Sequence, residues 1–317
     1  MAPSGAASGD NGQGRLVECV PNFSEGRRPE VVDALIDIVT SIPGAIFLDR
    51  HMDADHNRSV LTFTGGPAPV AEAAFRLVAR ASELIDLNEH QGEHPRMGAT
   101  DVVPFVPLNG LTLADCAEMA RQVGQRIGNE LGIPVFLYEA AAGNLDRARL
   151  ADVRRGGFEG LRERIGRDQT WRPDFGPERV HPTAGAIAVG ARPLLVAFNV
   201  NLATGDVAKA KAVARAVREH DGGLKGVRAL GFAIKGGKVA QVSMNLVDVE
   251  AAPIPLVLSR VREEAARQGT SVVDCEIVGL VPEVALRDAA GSASQLADVW
   301  HGQILERRLM QALRPRA

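Results

Sequence analysis

The order of apolar segments repeats along the chain, and this repeat limits the fold more than any other feature. The first half contains strand-like and helical patterns in the order 15–20, 29–42, 45–48, 59–64, 70–85 and 102–106. The second half shows the same order at 194–200, 206–219, 227–234, 239–246, 255–268 and 271–280. Each half therefore predicts a β-α-β-β-α-β unit.

This element order is typical of the split βαβ, ferredoxin-like motif. We expect an α/β (α+β) fold with two ferredoxin-like βαββαβ subdomains, whose sheets face each other and whose helices lie outside. A helical pattern at 113–131 and a strand at 134–138 extend the first unit. The Arg- and Gly-rich stretch 143–182 predicts a connecting region with one or two helices and a long loop. A ligand cleft is expected between the two halves.

The predicted organisation has four parts. They are a disordered leader at 1–14, an N-terminal subdomain at 15–193, a C-terminal subdomain at 194–286 and a helical tail at 287–317 with a helix at 296–313. The leader has neither a basic segment nor an apolar segment, so it is not a signal peptide.

Composition narrows the class of protein. The 317-residue chain is 45% hydrophobic and 24% charged, which is typical of a globular protein and excludes a disordered, collagenous or membrane-spanning chain. The formal net charge of -3 provides no overall field that would hold nucleic acid or a membrane surface. The three cysteines are too few for a disulfide framework, and we therefore expect a cytoplasmic location.

Residues 90–94 spell H-x-x-E-H, the inverted zinc-protease signature. That signature works on a helix, where both imidazoles share one face. Gly92 inside it and Pro95 directly after it disfavour a helix, so we predict no metal site and keep a zinc hydrolase only as an alternative. Without a metal, His94 is a candidate general base, because a neutral imidazole accepts protons near pH 7. The alternative is an imidazole that only hydrogen bonds its own loop.

Two further segments are polar or Gly-rich. Residues 53–58 are typical of a solvated turn. They also resemble a calcium-binding loop but lack its glycine and its distal glutamate. Within this segment, Arg58 is the residue expected to face a carboxylate. Residues 174–185 either let a ligand approach the backbone closely or form a plain connector. Residues 235–238 predict a hairpin rather than a phosphate loop.

Several strings resemble one known family. They are LVECVPNFSEG at 16–26, NR at 57–58, GEHPRMGA at 92–99, PDFGP at 173–177, AFNVNL at 197–202, QVSMNL at 241–246 and VGLVP at 278–282. In these strings the chain is similar to the formiminotransferase family, which includes glutamate formimidoyltransferases and the formiminotransferase half of formiminotransferase-cyclodeaminases. The resemblance covers roughly residues 15–286.

The resemblance implies an enzyme with a folate tunnel between two facing sheets, acting as a homodimer. The implied reaction transfers the formimidoyl group of N-formimidoyl-L-glutamate to N5 of tetrahydrofolate, a co-substrate, and belongs to histidine degradation. The family's catalytic histidine falls on His94. Its folate-contacting stretches fall on Gly176, Pro177, Glu178, Arg179, Val180, His181, Pro182, Thr183, Ala184 and Gly185, and on Gly222, Gly223 and Leu224.

Both substrates carry glutamate carboxylates, so the candidate anion partners are Arg58, Arg96, Arg192 and Lys225.

The chain departs from the vertebrate members of this family at three positions. They carry an aspartate where His51 falls, and they carry other residues where His181 and Ala184 fall in the folate stretch. Because the resemblance does not extend to the cyclodeaminase half, we expect the product to be released rather than channelled.

Besides the zinc hydrolase named above, two interpretations remain beside formimidoyl transfer. One is folate-dependent formyl transfer from N-formylglutamate or 5-formyltetrahydrofolate, which the same base and folate stretches would serve. The other is a folate-binding protein without turnover, in which replacement of His94 changes nothing.

Overall fold

The computed structural model describes residues 14–92, 95–287 and 300–313. Most of the predicted leader, the candidate base His94, the start of the predicted tail helix and the last four residues therefore lie outside the described residues. The described chain folds into two sheets, one of seven strands and one of four.

The seven-stranded sheet contains the strands of the first repeat and two more. Its strands are β1 (Leu16–Cys19), β2 (Asn22–Phe23), β3 (Ala45–Asp53), β4 (Arg58–Gly65), β5 (Thr100–Asn109), β6 (Val135–Glu139) and β7 (Ile187–Ala191). β1 and β2 share one strand position, because each pairs antiparallel with β4 on one side and with β5 on the other. Pro21 separates them, as expected where a strand is interrupted. β6 and β7 then add to β5 in parallel.

The four-stranded sheet contains β8 (Val196–Leu202), β9 (Val227–Ile234), β10 (Val239–Leu246) and β11 (Val272–Val278). Its spatial order is β11–β8–β10–β9. The first repeat has the equivalent order, β5, then β1 with β2, then β4 and β3. The prediction of two ferredoxin-like units is therefore confirmed.

The described residues form eight α-helices, of which the five with eleven or more residues cover the outer faces of the sheets. They are α1 (Pro29–Thr40), α2 (Pro67–Leu84), α3 (Leu113–Arg126, continued by one π-helical turn over Ile127–Leu131), α4 (Leu150–Val153), α5 (Gly157–Arg164), α6 (Val207–Val217), α7 (Ile254–Arg267) and α8 (Leu305–Ala312). In α1, Val32, Leu35 and Val39 recur at helical spacing and are fully buried. Thr112 and Asp115 form a reciprocal capping box that starts α3.

Each sheet has its own core. α1, α2 and α3 pack on the seven-stranded sheet around Phe63, Leu77 and Phe105, and we call this unit the N-lobe. α6 and α7 pack on the four-stranded sheet around Phe198 and Val257, and we call this unit the C-lobe. Trp300 and Ile304 of the tail belong to the C-lobe core, and the neighbouring Leu305 is also buried. We propose to retain the predicted limits 15–193 and 194–286 for the two subdomains.

Three sequence predictions need correction. The loop predicted at 49–58 is wrong, because β3 continues to Asp53 and only the turn before Arg58 is irregular. Strand β7 is absent from the predicted elements, since its short apolar run sits in a Gly-rich context. Within residues 300–313 of the tail, the helix α8 spans only Leu305–Ala312 of the range predicted to be helical, and a 3₁₀ turn at His301–Gln303 precedes it.

The predicted connecting region does contain two helices, α4 and α5. These helices also have a packing role, because Val153 of α4 and Leu161 of α5 belong to one buried cluster with Phe136 on the inner face of the sheet. They cover the part of that face formed by β5, β6 and β7. The remaining inner face is the part that meets the C-lobe. None of the described helices has the length and apolar character that a membrane span requires.

Candidate active site

A recess lies where the inner face of the N-lobe meets the C-lobe. Three N-lobe segments surround it: the chain after β2, the turn between β3 and β4, and the loop that leads into β5. Its lining residues are Phe23, Ser24, His56, Asn57, Arg58, His90, Arg96 and Asp101. The empty volume is about 180 Å³, below the ~300 Å³ at which pockets begin to enclose a drug-sized ligand. The recess between these side chains is therefore too small to enclose a whole folate.

Asn57 holds these three segments together. Its side-chain Oδ1 accepts a hydrogen bond from the Gly26 amide at 2.9 Å, and its Nδ2 donates to the Gln91 carbonyl oxygen at 3.0 Å. Its backbone has a φ of 46°, a left-handed conformation that asparagine tolerates better than most residues. The residue is buried and connects the segment after β2 to the loop that leads to His94.

Two glycines allow the segments to approach this closely. A Cβ at Gly92 would lie 2.3 Å from the His56 carbonyl oxygen, and a Cβ at Gly26 would lie 2.2 Å from the Asp53 carbonyl oxygen. Only glycine fits at such a distance. The glycines of the strings at 16–26 and 92–99 thus have a packing role at the recess.

His90 is fixed by hydrogen bonds on both ring nitrogens. Arg96 Nε donates to Nδ1 at 2.9 Å, and Nε2 donates to the Asn57 carbonyl oxygen at 2.8 Å. Since Arg96 can only donate, the imidazole is neutral with its proton on Nε2. Burial lowers its pKa from the ordinary value. Both nitrogens are occupied, so His90 is a structural imidazole here rather than a metal ligand.

Arg96 is itself anchored at its far end. Its guanidinium donates to both carboxylate oxygens of Glu159, at 3.0 and 2.9 Å. This bidentate pair fixes the chain two residues beyond His94. Within residues 14–92, 95–287 and 300–313, no three His, Cys, Asp or Glu side chains are grouped as metal ligands would be.

Charged groups line the floor of the recess. Asp101, which is 2% exposed, accepts from the Met97 amide at 2.8 Å and forms an ion pair with Arg154. Burial, together with the nearby Arg154 guanidinium, lowers the pKa of Arg58 to about 10. Arg58 therefore remains a cation at neutral pH. Ser24 Oγ donates to the Gly98 carbonyl oxygen at 2.7 Å and closes the recess beside them.

A relay of polar side chains connects the lobes. His56 Nε2 lies 3.3 Å from Gln241 Oε1, Gln241 Nε2 donates to Asn201 Oδ1 at 3.1 Å, and Asn201 Nδ2 donates to Asp274 Oδ1 at 2.6 Å. The carboxylate of Asp274 can only accept, which fixes the direction of every bond in the relay. His56 is therefore the donor to Gln241 across the contact between the lobes.

The predicted folate stretch at 176–185 lies partly beside the recess loop. The Ala99 amide donates to the Ala184 carbonyl oxygen and the Ala186 amide to the Met97 carbonyl oxygen, both at 2.9 Å. His181 Nδ1 accepts from the Ala184 amide at 3.0 Å, which shapes the turn. Within the stretch, Gly176, Glu178, Arg179 and Pro182 are exposed, whereas Ala184 and Gly185 are buried.

The other predicted site residues do not line the recess. The amides of Gly223 and Leu224 donate to carbonyl oxygens of Arg218 and Val217 in the C-lobe. Gly222 has an αL backbone (φ 87°), and Lys225 forms an exposed ion pair with Asp248 at 3.1 Å. Arg192 lies further along the inner face of the N-lobe, near Glu18. Burial raises the pKa of the Glu18 carboxyl to about 7, and the charge of Arg192 partly offsets this rise.

Sequence reasoning did not identify Asp101, Gln241 or Glu276, or the role of Asn57. One signal was available in the C-lobe. Polar residues alternate with apolar ones in FNVNL at 198–202 and in QVSMNL at 241–246. In a sheet with one face on helices, this period of two places the polar residues on the opposite face. That face proves to be the one that meets the N-lobe.

Comparison with known proteins agrees with this two-lobed architecture. The family model described as "Formiminotransferase domain, N-terminal subdomain" matches residues 16–192, and the one described as "Formiminotransferase domain" matches residues 197–296. The first match covers the N-lobe sheet, and the second covers the C-lobe sheet from the second residue of β8 onward.

Relatives match over nearly the whole chain. A glutamate formimidoyltransferase of Streptococcus pyogenes serotype M1 is 48% identical over 93% of this chain and 99% of its own length. A glutamate formimidoyltransferase of Thermoplasma acidophilum is 47% identical over 94% of this chain and 98% of its own length. The formimidoyltransferase-cyclodeaminase of Mus musculus is 43% identical over 87% of this chain and 52% of its own length. The chain thus belongs to the formiminotransferase family.

Proposed function

We propose that this protein is an enzyme that transfers the formimidoyl group of N-formimidoyl-L-glutamate to N5 of tetrahydrofolate. The products are 5-formimidoyltetrahydrofolate and L-glutamate, and the reaction serves histidine degradation. The observation that supports this function most strongly is 47–48% identity to two glutamate formimidoyltransferases over more than nine-tenths of the chain. The alternative of a zinc hydrolase has less support, because His90 of the H-x-x-E-H string has both ring nitrogens engaged.

The chemistry needs one group that moves a proton twice. N5 of tetrahydrofolate attacks the amidine carbon of the donor, and a bond forms between them. The base accepts the proton lost from N5, and the tetrahedral intermediate forms. The same group then donates that proton to the glutamate nitrogen as the bond between carbon and this nitrogen breaks. A positioned acid-base group contributes about 10²- to 10⁴-fold to such a reaction.

We assign this proton transfer to His94. The residue follows directly on the chain from Gly92 and Glu93 and precedes Arg96 by two positions. Gly92 packs against the turn between β3 and β4, and Arg96 is held by His90 and Glu159. The flanking residues are thus fixed at the rim of the recess on both sides, which supports His94 as the base.

Tetrahydrofolate is the proposed co-substrate, and we assign its binding to residues 176–185 and 222–224. The first stretch lies against residues 97–99 of the recess loop, which supports its role. Since Ala184 and Gly185 are buried, the exposed members Gly176, Glu178, Arg179 and Pro182 are the ones that can reach a ligand. The reaction as written requires no metal.

Among the four candidate anion partners, Arg58 is the best placed for a substrate carboxylate. It lines the recess and keeps its charge at neutral pH. Arg96 also lines the recess, and its guanidinium is held by Glu159, so we assign it to positioning the loop rather than to the substrate. Arg192 and Lys225 lie away from the recess and would at most contact the distal parts of a long substrate.

The test mixes purified protein, tetrahydrofolate and N-formimidoyl-L-glutamate and then acidifies the mixture. Acid converts 5-formimidoyltetrahydrofolate into the methenyl form, which absorbs in the near ultraviolet. We expect this absorbance with the formimidoyl donor and not with N-formylglutamate. Turnover with the formyl donor alone would favour the alternative formyl transfer. Folate binding without turnover on either donor would favour a binding protein.

We also propose a cytoplasmic location and a homodimer, which the family resemblance implies. Sedimentation equilibrium of the full chain distinguishes a dimer from a monomer of 33.6 kDa.

A further inference from the structure

Glu276 lies on β11, on the face of the C-lobe sheet that meets the N-lobe. Its partner in the register is Asn199 of β8, and Asn199 Nδ2 donates to Glu276 Oε1 at 2.9 Å. The side chain is partly buried. Within residues 14–92, 95–287 and 300–313, no cation forms an ion pair with this carboxylate, so its described hydrogen-bond partner is a neutral amide.

The carboxylate of Glu276 faces two cationic or titratable groups of the N-lobe. Burial lowers the pKa of His51 on β3, and the Glu276 carboxylate partly offsets that effect. The same carboxylate raises the pKa of Arg58 against the effect of burial. Glu276 also lies two residues from Asp274, the C-lobe end of the relay from His56. Residues two apart on a strand share one face and lie about 7 Å apart, so Glu276 lies beside the contact between the lobes.

Three described carboxylates of the N-lobe near the recess, those of Asp53, Asp101 and Glu25, are already engaged. Asp53 accepts from the His56 amide at 2.8 Å. Asp101 is paired with Arg154, and Glu25 is paired with Arg28 and accepts from two backbone amides. Glu276 differs from Asp101 and Glu25 in that no described residue forms an ion pair with it, so a cationic ligand can approach it without displacing an existing cation.

The donor of the proposed reaction carries such a cation. A formamidine is protonated at neutral pH, and its two nitrogens offer N–H groups that match the two oxygens of a carboxylate. The α-carboxylate of the donor lies next to this group and has the opposite charge. Arg58 in the recess and Glu276 on the facing side of the C-lobe sheet carry charges of opposite sign, which is the arrangement that a zwitterionic head group of this kind requires.

We propose that Glu276 binds the formamidinium group of the donor and selects a formimidoyl donor over a formyl donor. This inference rests on the proposed function. The carboxylate also keeps the amidine protonated, and the protonated amidine is the more electrophilic form. A formyl donor is neutral at the same position and gains nothing from Glu276. Arg58 contacts the neighbouring α-carboxylate.

The test is a binding measurement that does not depend on turnover. Isothermal titration calorimetry compares N-carbamimidoyl-L-glutamate, a permanent cation, with N-carbamoyl-L-glutamate, its neutral isostere, in the presence of tetrahydrofolate. We expect the wild-type protein to bind the cation about 10- to 100-fold more tightly, as for hydrogen bonds to charged groups. Glu276→Gln abolishes this preference. Its amide oxygen still accepts from Asn199, so the variant should fold, and circular dichroism checks this.

Two further variants test whether the charge of Glu276 and its position cause the preference. Glu276→Asp keeps the charge on a shorter side chain and should restore part of the preference. Glu250→Gln removes an exposed carboxylate after β10 in the same lobe and should leave the preference at the wild-type level. Equal binding of the two ligands by the wild type, or an unchanged preference in Glu276→Gln, would overturn the inference.

The transfer assay separates this inference from the proposed function. Transfer by the wild type together with an unchanged ligand preference in Glu276→Gln would remove only the role of Glu276. Absence of transfer from N-formimidoyl-L-glutamate by the wild type would remove the proposed function itself.

Discussion

The Nε2 atom of His90 lies 2.8 Å from the carbonyl oxygen of Asn57, and this contact joins the loop that leads to His94 to the turn between β3 and β4. The Asn57 side chain strengthens the same connection through the Gly26 amide and the Gln91 carbonyl oxygen. The geometry of the proposed active site therefore depends on contacts between segments that are far apart in sequence.

The first prediction concerns Asn57. Asn57→Ala removes the two hydrogen bonds of the buried Asn57 side chain. It also leaves an alanine in the left-handed backbone conformation, which alanine tolerates poorly. We expect the free energy of unfolding to fall by about 2–3 kcal/mol, since each buried hydrogen bond contributes about 1 kcal/mol and leaves an unpaired partner. Urea denaturation measures the change. Lys235→Ala is the control, because Lys235 also has a positive φ of 52° but is exposed in a hairpin. A similar loss in both variants would contradict the role of the side-chain hydrogen bonds.

The second prediction concerns Gly92. In Gly92→Ala the new methyl group would lie 2.3 Å from the His56 carbonyl oxygen, so the loop must move away from the turn. We expect a destabilisation of about 1–3 kcal/mol and, because the displaced segment precedes His94, at least a tenfold loss in kcat/KM. Gly302→Ala provides the comparison, since nothing lies within 4 Å of a Cβ there. Full activity of Gly92→Ala would show that the close approach is dispensable.

The third prediction concerns pH. Burial lowers the pKa of His90 below its ordinary value of 6.5, so the folded state resists protonation that the unfolded state accepts. The stability from neutral His90 is therefore present above pH 6.5 and is lost as the pH falls through the folded pKa. The buried carboxyl of Glu18 acts in the opposite sense, because its pKa is raised to about 7 and its contribution grows as the pH falls.

The measurement is the free energy of unfolding of wild type and His90→Gln between pH 7 and 5. We expect the wild type to lose its advantage in the free energy of unfolding toward pH 5, because the glutamine side chain of the variant has no proton to gain. His301→Gln, at an exposed position, serves as the control and should follow the wild type. If the two free energies of unfolding differed by the same amount across this pH range, protonation of His90 would not affect the stability of the fold.

The fourth prediction concerns the contact between the lobes. His56 donates to Gln241 at 3.3 Å, and both side chains are buried, at 4% and 1% exposure. A double-mutant cycle with His56→Ala and Gln241→Ala should give a coupling free energy of about 0.5–1.5 kcal/mol. The cycle for the exposed pair Lys225 and Asp248 should give less than about 0.5 kcal/mol. Zero coupling between His56 and Gln241 would contradict the described packing of the lobes.

The repeated fold could be predicted because each unit signals its own elements. The apolar period in α1 (Val32, Leu35, Val39) and the hairpin at 235–238 are local features, and local features are visible in a sequence. The predicted β3 is too short because the second half of the strand, DRHMD, consists largely of polar residues, of which Asp49 pairs with Arg308 of the tail and His51 lies near Glu276 of the C-lobe. A strand that contributes to a polar interface does not show the usual alternation of apolar and polar residues.

The candidate site was only partly visible for a related reason. Arg58 and Arg96 stand out in the sequence as charges, and both line the recess. Asn57, Asp101 and Gln241 do not, because their roles depend on partners 31 to 185 positions away or on burial. Lys225 and Arg192 look equivalent to Arg58 in the sequence, but the fold places them elsewhere. Residue type indicates which chemistry is available, whereas tertiary contacts decide where it is used.

The central claim is that this chain moves a formimidoyl group to tetrahydrofolate with His94 as the acid-base group. The most direct measurement follows the ¹³C-labelled formimidoyl carbon of N-formimidoyl-L-glutamate by NMR in the presence of tetrahydrofolate. For the wild type, we predict that the donor signal is replaced by that of 5-formimidoyltetrahydrofolate as an equal amount of glutamate appears. His94→Ala should slow this conversion by about 10²- to 10⁴-fold while tetrahydrofolate binding is largely kept. Transfer at the wild-type rate in His94→Ala, or no transfer by the wild type, would contradict the account.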